Sequence, residues 1–78
     1  MYYDYLKSVL PIPILDINVA QNNNYRYKIT TYSSVADEPQ TRMAVENRVK
    51  KCKRMKSIEG WYLDDDISKK HAVIEFVR

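Results

Sequence analysis

The stretch Ile14-Leu15-Asp16-Ile17-Asn18-Val19-Ala20-Gln21-Asn22-Asn23-Asn24-Tyr25-Arg26-Tyr27-Lys28-Ile29-Thr30-Thr31-Tyr32 decides the fold class. From Ile14 to Ala20 it alternates, with Leu15, Ile17 and Val19 on one side and Ile14, Asp16, Asn18 and Ala20 on the other. A period of two marks a half-buried strand. Gln21-Asn22-Asn23-Asn24 predicts a turn, because asparagine tolerates the left-handed region and bonds to its own backbone. Residues 25–33 resume as a second strand rich in Tyr, Thr and Ile. Two strands around a short polar loop read as a β-hairpin.

Working towards the N-terminus, Tyr2, Tyr5, Leu6 and Val9 recur at helical spacing and predict a short amphipathic helix over 2–10. Pro11 and Pro13 end it, because proline disfavours the helical conformation of the residue before it.

Towards the C-terminus, Asp37 and Glu38 precede Pro39, a combination that suits the positive end of a helix. Val45, Val49, Cys52 and Met55 recur at steps of four and three, which predicts one main helix with this buried stripe. Gly60 is expected to end that run or the loop after it. Trp61-Tyr62-Leu63 reads as a short third strand and residues 71–77 as a fourth, separated by the polar loop Asp64–Lys70. In the fourth, Ala72, Ile74 and Phe76 share a face opposite His71, Val73, Glu75 and Val77. The order is α–β–β–α–β–β. The expected architecture is a single α+β domain over 1–78, a four-stranded antiparallel sheet of two hairpins. The main helix lies on one face, with the short helix before the first strand.

Composition bounds the function. The 78 residues support one domain with a small core, so homodimerisation is expected as a source of stability. One cysteine excludes a disulfide framework within the chain. With Cys52 and His71 the only residues of their kinds, the usual structural zinc site has no ligand set, and no cofactor is expected. No apolar run reaches the roughly 20 residues of a membrane span, and no positive segment leads into an apolar stretch at the start. A cytoplasmic protein without a membrane partner is the expectation, in keeping with the lone thiol. Lys, Ile, Asn and Tyr make up 27 of the 78 residues, and their A+T-rich codons suggest a phage or mobile-element gene.

Charge is the most informative feature. Residues 1–24 carry a net −1, residues 25–57 a net +6 and residues 58–78 a net −2, so the overall +3 conceals a basic middle. Within it, Arg48, Lys50, Lys51, Lys53, Arg54 and Lys56 crowd the end of the predicted main helix, and Arg26 and Lys28 alternate with Tyr25, Tyr27 and Tyr32 on the second strand. Cations neutralise phosphates and release counterions, while an exposed tyrosine stacks on an unpaired base. For the tyrosines, burial in the core is the preferred reading, since one strand face must be covered. For the helical cations an anionic partner is preferred, since like charges one turn apart destabilise a helix.

Other chemistry fares less well. Asp64, Asp65 and Asp66, near Glu59, Glu75 and His71, resemble a site for a divalent cation and phosphodiester cleavage, but adjacent aspartates in a loop point in different directions. Cys52 with His71 lacks an oxyanion feature and an orienting third group, and Cys52 falls on the buried stripe. One glycine leaves no phosphate-cradling loop. Trp61 is expected to anchor the core, and the last strand, unless central, to pair with a second copy. The expected function is non-enzymatic binding of nucleic acid, RNA or single strands before duplex DNA, by a regulatory protein. The sites are Arg26, Lys28, Arg48, Lys50, Lys51, Lys53, Arg54, Lys56, Tyr25, Tyr27 and Tyr32. The alternative is an inhibitor docking the same basic helix on an acidic surface of a host enzyme.

Overall fold

The expected hairpin forms, as strands β1 (Asp16–Ala20) and β2 (Asn23–Tyr32) of a computed structural model that describes residues 2–78. Its turn is confined to Gln21 and Asn22, with Asn23 and Asn24 in the second strand. Gln21 and Asn22 both take the left-handed region, with φ of 55° and 54°, as a tight hairpin turn requires. The helix before β1 is α1 (Tyr2–Val9); after β2 come α2 (Ser33–Ala36), α3 (Pro39–Lys51), β3 (Met55–Leu63) and β4 (Lys69–Phe76). The strands form one antiparallel sheet in the order β1-β2-β4-β3. The α+β architecture of two hairpins covered by helices is the one expected, and pairing of β2 with β4 joins the hairpins.

One face of the sheet is apolar because alternate residues point the same way. Ile17 lies opposite Ile29, Ile29 opposite Ala72, and Tyr27 opposite Ile74. Leu6 of α1 and Val45 and Val49 of α3 close over this face. Leu6, Ile29, Ile74 and Phe76 are fully enclosed, and each such burial contributes about 1.5–3 kcal/mol relative to exposure. Thr31, buried on the same side, donates its hydroxyl to the Pro13 carbonyl at 2.7 Å and fastens the segment before β1. The other face carries Arg26, Lys28, Thr30, Tyr32, His71, Val73 and Glu75, the set opposite the core.

Several boundaries differ from the sequence reading. The main helix ends at Lys51, not near Lys56: Cys52 leaves the helical region at φ −89° and ψ 117°. Met55 is buried, but as the first residue of β3 opposite Phe76, so its helical spacing from Val49 and Cys52 is coincidental. β3 therefore starts at Met55 rather than Trp61. Gly60 terminates no helix; it sits within β3 opposite Ala72, where a Cβ would fall 2.5 Å from the Ala72 Cβ. Close approach of two strands, not a cap, is what requires the glycine. Residues 33–36 form α2 rather than continuing the strand and loop, with Ser33 donating to the carbonyls of Ser68 and Ile67. β4 is central, which closes the route by which it would pair with a second copy; the sheet edges are β1 and β3.

Candidate nucleic-acid interface

The antiparallel register gives the sheet two chemically distinct ends. Arg26 lies opposite Glu75, and Met55 opposite Phe76, so the start of β2, the start of β3 and the end of β4 share one end. The turn from α3 into β3 is there too, since the Val77 amide donates to the Arg54 carbonyl at 2.8 Å. At the opposite end Tyr32 pairs with Lys69, beside α2 and the loop 64–68. Lys51, Lys53, Arg54, Lys56 and Arg78 thus gather at one end, and Asp37 with Asp64, Asp65 and Asp66 at the other, where Arg42, Lys69 and Lys70 pair with Asp37 and Asp66. α3 runs between them with cations in its last turn, where the negative end of the helix dipole favours them.

The acidic end is a structured loop. Asp64 accepts from the Asp65 amide, and Asp66 accepts from both the amide and the hydroxyl of Ser68. The Ser68 hydroxyl and amide hold the Asp66 carboxyl below its usual range, against a smaller opposing effect of burial. Asp37 is lowered chiefly by its hydrogen bond from Lys70. Among the described residues, no three His, Cys, Asp or Glu side chains converge as metal ligands.

The basic end is where the sequence-predicted residues divide. Arg26 is largely spoken for: it pairs with Glu75 at 2.7 Å and with Glu59 at 3.6 Å. Lys56 shares Glu75 at 3.4 Å. Burial raises the Glu75 carboxyl, but the hydrogen bonds and charges of Lys56 and Arg26 outweigh it and leave it below its usual value. Arg48 donates to the Val9 carbonyl at 2.9 Å, tying α3 to the end of α1. Of the predicted basic cluster only Arg48, Lys50 and Lys51 are helical; Lys53 and Arg54 occupy the turn and Lys56 is the second residue of β3. Lys50, Lys51 and Lys53 are solvent-exposed. Lys28 stands apart, half-buried mid-sheet between Asn18 and Val73 on the helix-free face.

The three tyrosines also separate. Tyr27 is buried beneath α1, its ring edge-on to Tyr3 at 6.0 Å and to Phe76 at 5.7 Å. Tyr32 is exposed at the acidic end. Tyr25 is exposed at the basic end, because pairing with β1 slips there: Val19 faces Tyr27, but Ala20 faces Asn23. The intervening residues of β2 are unmatched by β1 and bulge from the ladder. The Asn23 side chain supports the bulge by accepting from the Tyr25 amide at 2.9 Å.

Tyr2 and Tyr5, which helical spacing assigned to the apolar face of α1, complete this corner with Arg54 and Arg78. Tyr2 stacks on Phe76 at 4.0 Å, Arg54 lies 4.2 Å from the Tyr5 ring centroid and 5.6 Å from that of Tyr2, and Arg78 lies 5.2 Å from that of Tyr25. Tyr5 and Cys52 are in hydrogen-bond contact beneath Arg54. That contact is the main reason the Tyr5 hydroxyl is raised. Burial alone would raise the thiol, yet this bond and the amides of Arg54 and Met55 lower it overall. Cys52 packs on the core side of the sheet, whereas His71 sits on the helix-free face against Tyr62, so they form no nucleophile–base pair. Trp61 packs against the core, as expected of it. The tyrosines of α1 stand beside the bulge only because the fold brings them there; helical spacing marked Tyr2 and Tyr5 as one face of a helix, and nothing local tied them to β2.

No protein-family model matches the chain, and no curated protein or solved structure matches it significantly. Among the described residues, no helix is long and apolar enough to cross a membrane.

Proposed function

We propose that this protein binds single-stranded nucleic acid, RNA in particular, and acts by binding rather than by catalysis. One observation carries the proposal: cations and tyrosines converge at one end of the sheet, with Arg54 and Arg78 seated on tyrosine rings. Lys50, Lys51 and Lys53 neutralise phosphates, and arginines held on aromatic rings add charge without side-chain disorder. At the opposite end Arg42, Lys69 and Lys70 are paired with Asp37 and Asp66, so the excess of positive charge lies at the basic end and directs a polyanion there. Single strands are favoured because stacking on tyrosine needs an unpaired base.

Fluorescence anisotropy with a labelled single-stranded RNA tests the proposal. Affinity falls steeply between low and physiological salt; affinity that does not change overturns it.

A second reading, an inhibitor of another protein, draws on a different observation. Beside the basic end an open groove runs between α3 and edge strand β3, lined by Glu46, Val49, Lys50, Met55, Lys56 and Ile58. An unpaired strand edge flanked by lysines and apolar side chains suits an acidic partner surface. Purification without nuclease separates the two readings: co-eluting RNA supports the first, and one stoichiometric protein the second.

A further inference from the structure

Where α1 meets the β2 bulge, Tyr2, Tyr3, Asn24, Tyr25 and Tyr27 line an open pocket of about 330 Å³. Ligand pockets run from about 300 to 1,000 Å³, so this one has room for a flat aromatic ring. Its walls are aromatic, and among the described residues none of those lining it is charged. The cations stand beside it, Arg54 over Tyr2 and Arg78 over Tyr25. An aromatic cage for a cationic ligand needs the reverse arrangement, because these guanidinium groups would repel such a ligand. An uncharged ring attached to an anion fits both features.

We infer that the pocket receives one unpaired nucleobase of the bound strand, an assignment that rests on the nucleic-acid reading above. Tyr25, displaced outwards by the bulge, supplies the stacking face. Tyr2 and Tyr3 form the wall contributed by α1, held against Tyr27 at ring distances of 5.3 and 6.0 Å. Asn24 brings a side-chain amide to the lining, and its paired donor and acceptor match the edge of a base. Arg54 and Arg78 hold the flanking phosphates. The bulge costs ladder hydrogen bonds to β1, and in return it presents Asn24 and Tyr25 to solvent side by side.

The test compares an oligothymidylate with an abasic strand of the same length and backbone, by anisotropy at low salt. The base-bearing strand binds about 10-fold more tightly, the effect of one well-stacked base. Tyr25→Ala removes that difference to within about twofold while leaving the salt dependence unchanged, and Tyr25→Phe preserves it. Tyr25 is exposed, so the variants fold, and circular dichroism checks this. Equal binding of both strands by the unaltered protein overturns the pocket assignment and leaves phosphate binding standing. A Tyr25→Ala variant that weakens both strands equally also overturns it. If neither strand binds at low salt, the pocket assignment and the nucleic-acid reading fall together.

Discussion

The guanidinium carbon of Arg54 lies 4.2 Å from the centroid of the Tyr5 ring, so a residue of the α3–β3 turn is seated on the first helix. Arg54 therefore has a structural role as well as a positive charge. Its neighbour Lys53 is exposed and carries only the charge. Arg54→Ala is expected to cost about 0.5–2 kcal/mol of stability and to weaken RNA binding. Lys53→Ala should leave stability within about 0.5 kcal/mol and reduce the slope of log affinity against log salt by about 1. Urea titrations beside binding at several salt concentrations distinguish them. Equal stability losses in the two variants would show that the ring contact contributes nothing.

The basic end can be set against the rest of β2. Tyr25 and Tyr32 occupy opposite ends of that strand, about 23 Å apart at about 3.3 Å per residue. Tyr25→Ala is expected to weaken binding of a base-bearing strand about 10-fold, whereas Tyr32→Ala leaves it unchanged. A loss from Tyr32→Ala as large as that from Tyr25→Ala would place the interface along the helix-free face of the sheet.

Gly60 and Ala72 face each other across β3 and β4 with no room for another methyl group. The nearest atoms are the Cβ and Cα of Ala72, which cannot swing aside as a long side chain would. Gly60→Ala is thus expected to destabilise by about 1–3 kcal/mol, and adding Ala72→Gly should recover part of the loss. The measurement is the urea midpoint of the single and double variants. A Gly60→Ala protein as stable as the parent would mean that the strands separate there at no cost.

α1 is held by Leu6, which is fully enclosed between the helices and the sheet. Leu6→Ala is expected to cost about 2–5 kcal/mol. It should also disturb the tyrosine corner, because Tyr2, Tyr3 and Tyr5 ride on the same helix. Thermal unfolding reads the first effect, and the ratio of base-bearing to abasic strand binding reads the second. A stability loss below about 1 kcal/mol would indicate that α1 is only loosely docked.

Acid stability follows from the paired carboxyls. Glu75, Asp37 and Asp66 are all held below their ordinary values of 4.5, 3.8 and 3.8. A carboxyl lowered by folding adds stability that is present above its unfolded value and is lost as pH falls through the folded one. The midpoint of unfolding is expected to be steady above about pH 5 and to drop as pH falls below it. Glu75→Gln should lose less of its stability over that acidic range than the parent does. Identical acid profiles would remove Glu75 from the account.

The sequence by itself determined the features set by near neighbours. Alternation from Leu15 to Val19 and from Tyr27 to Ile29 fixed the first hairpin, Pro39 after two acidic residues marked the start of α3, and Ala72, Ile74 and Phe76 marked the inner face of the last strand. The segmental charge was legible too. Tertiary structure alone decided where α3 stops, because Met55 satisfies helical spacing from Val49 yet is buried as a strand residue against Phe76. It also decided which cations remain free: Glu75 lies beside Arg26 and Lys56 only through the pairing of β2, β4 and β3. The tyrosine corner depends on the same long-range pairing. α1 and the bulge before Tyr27 meet because both pack at the Phe76 end of the sheet, a contact between segments that no local periodicity encodes.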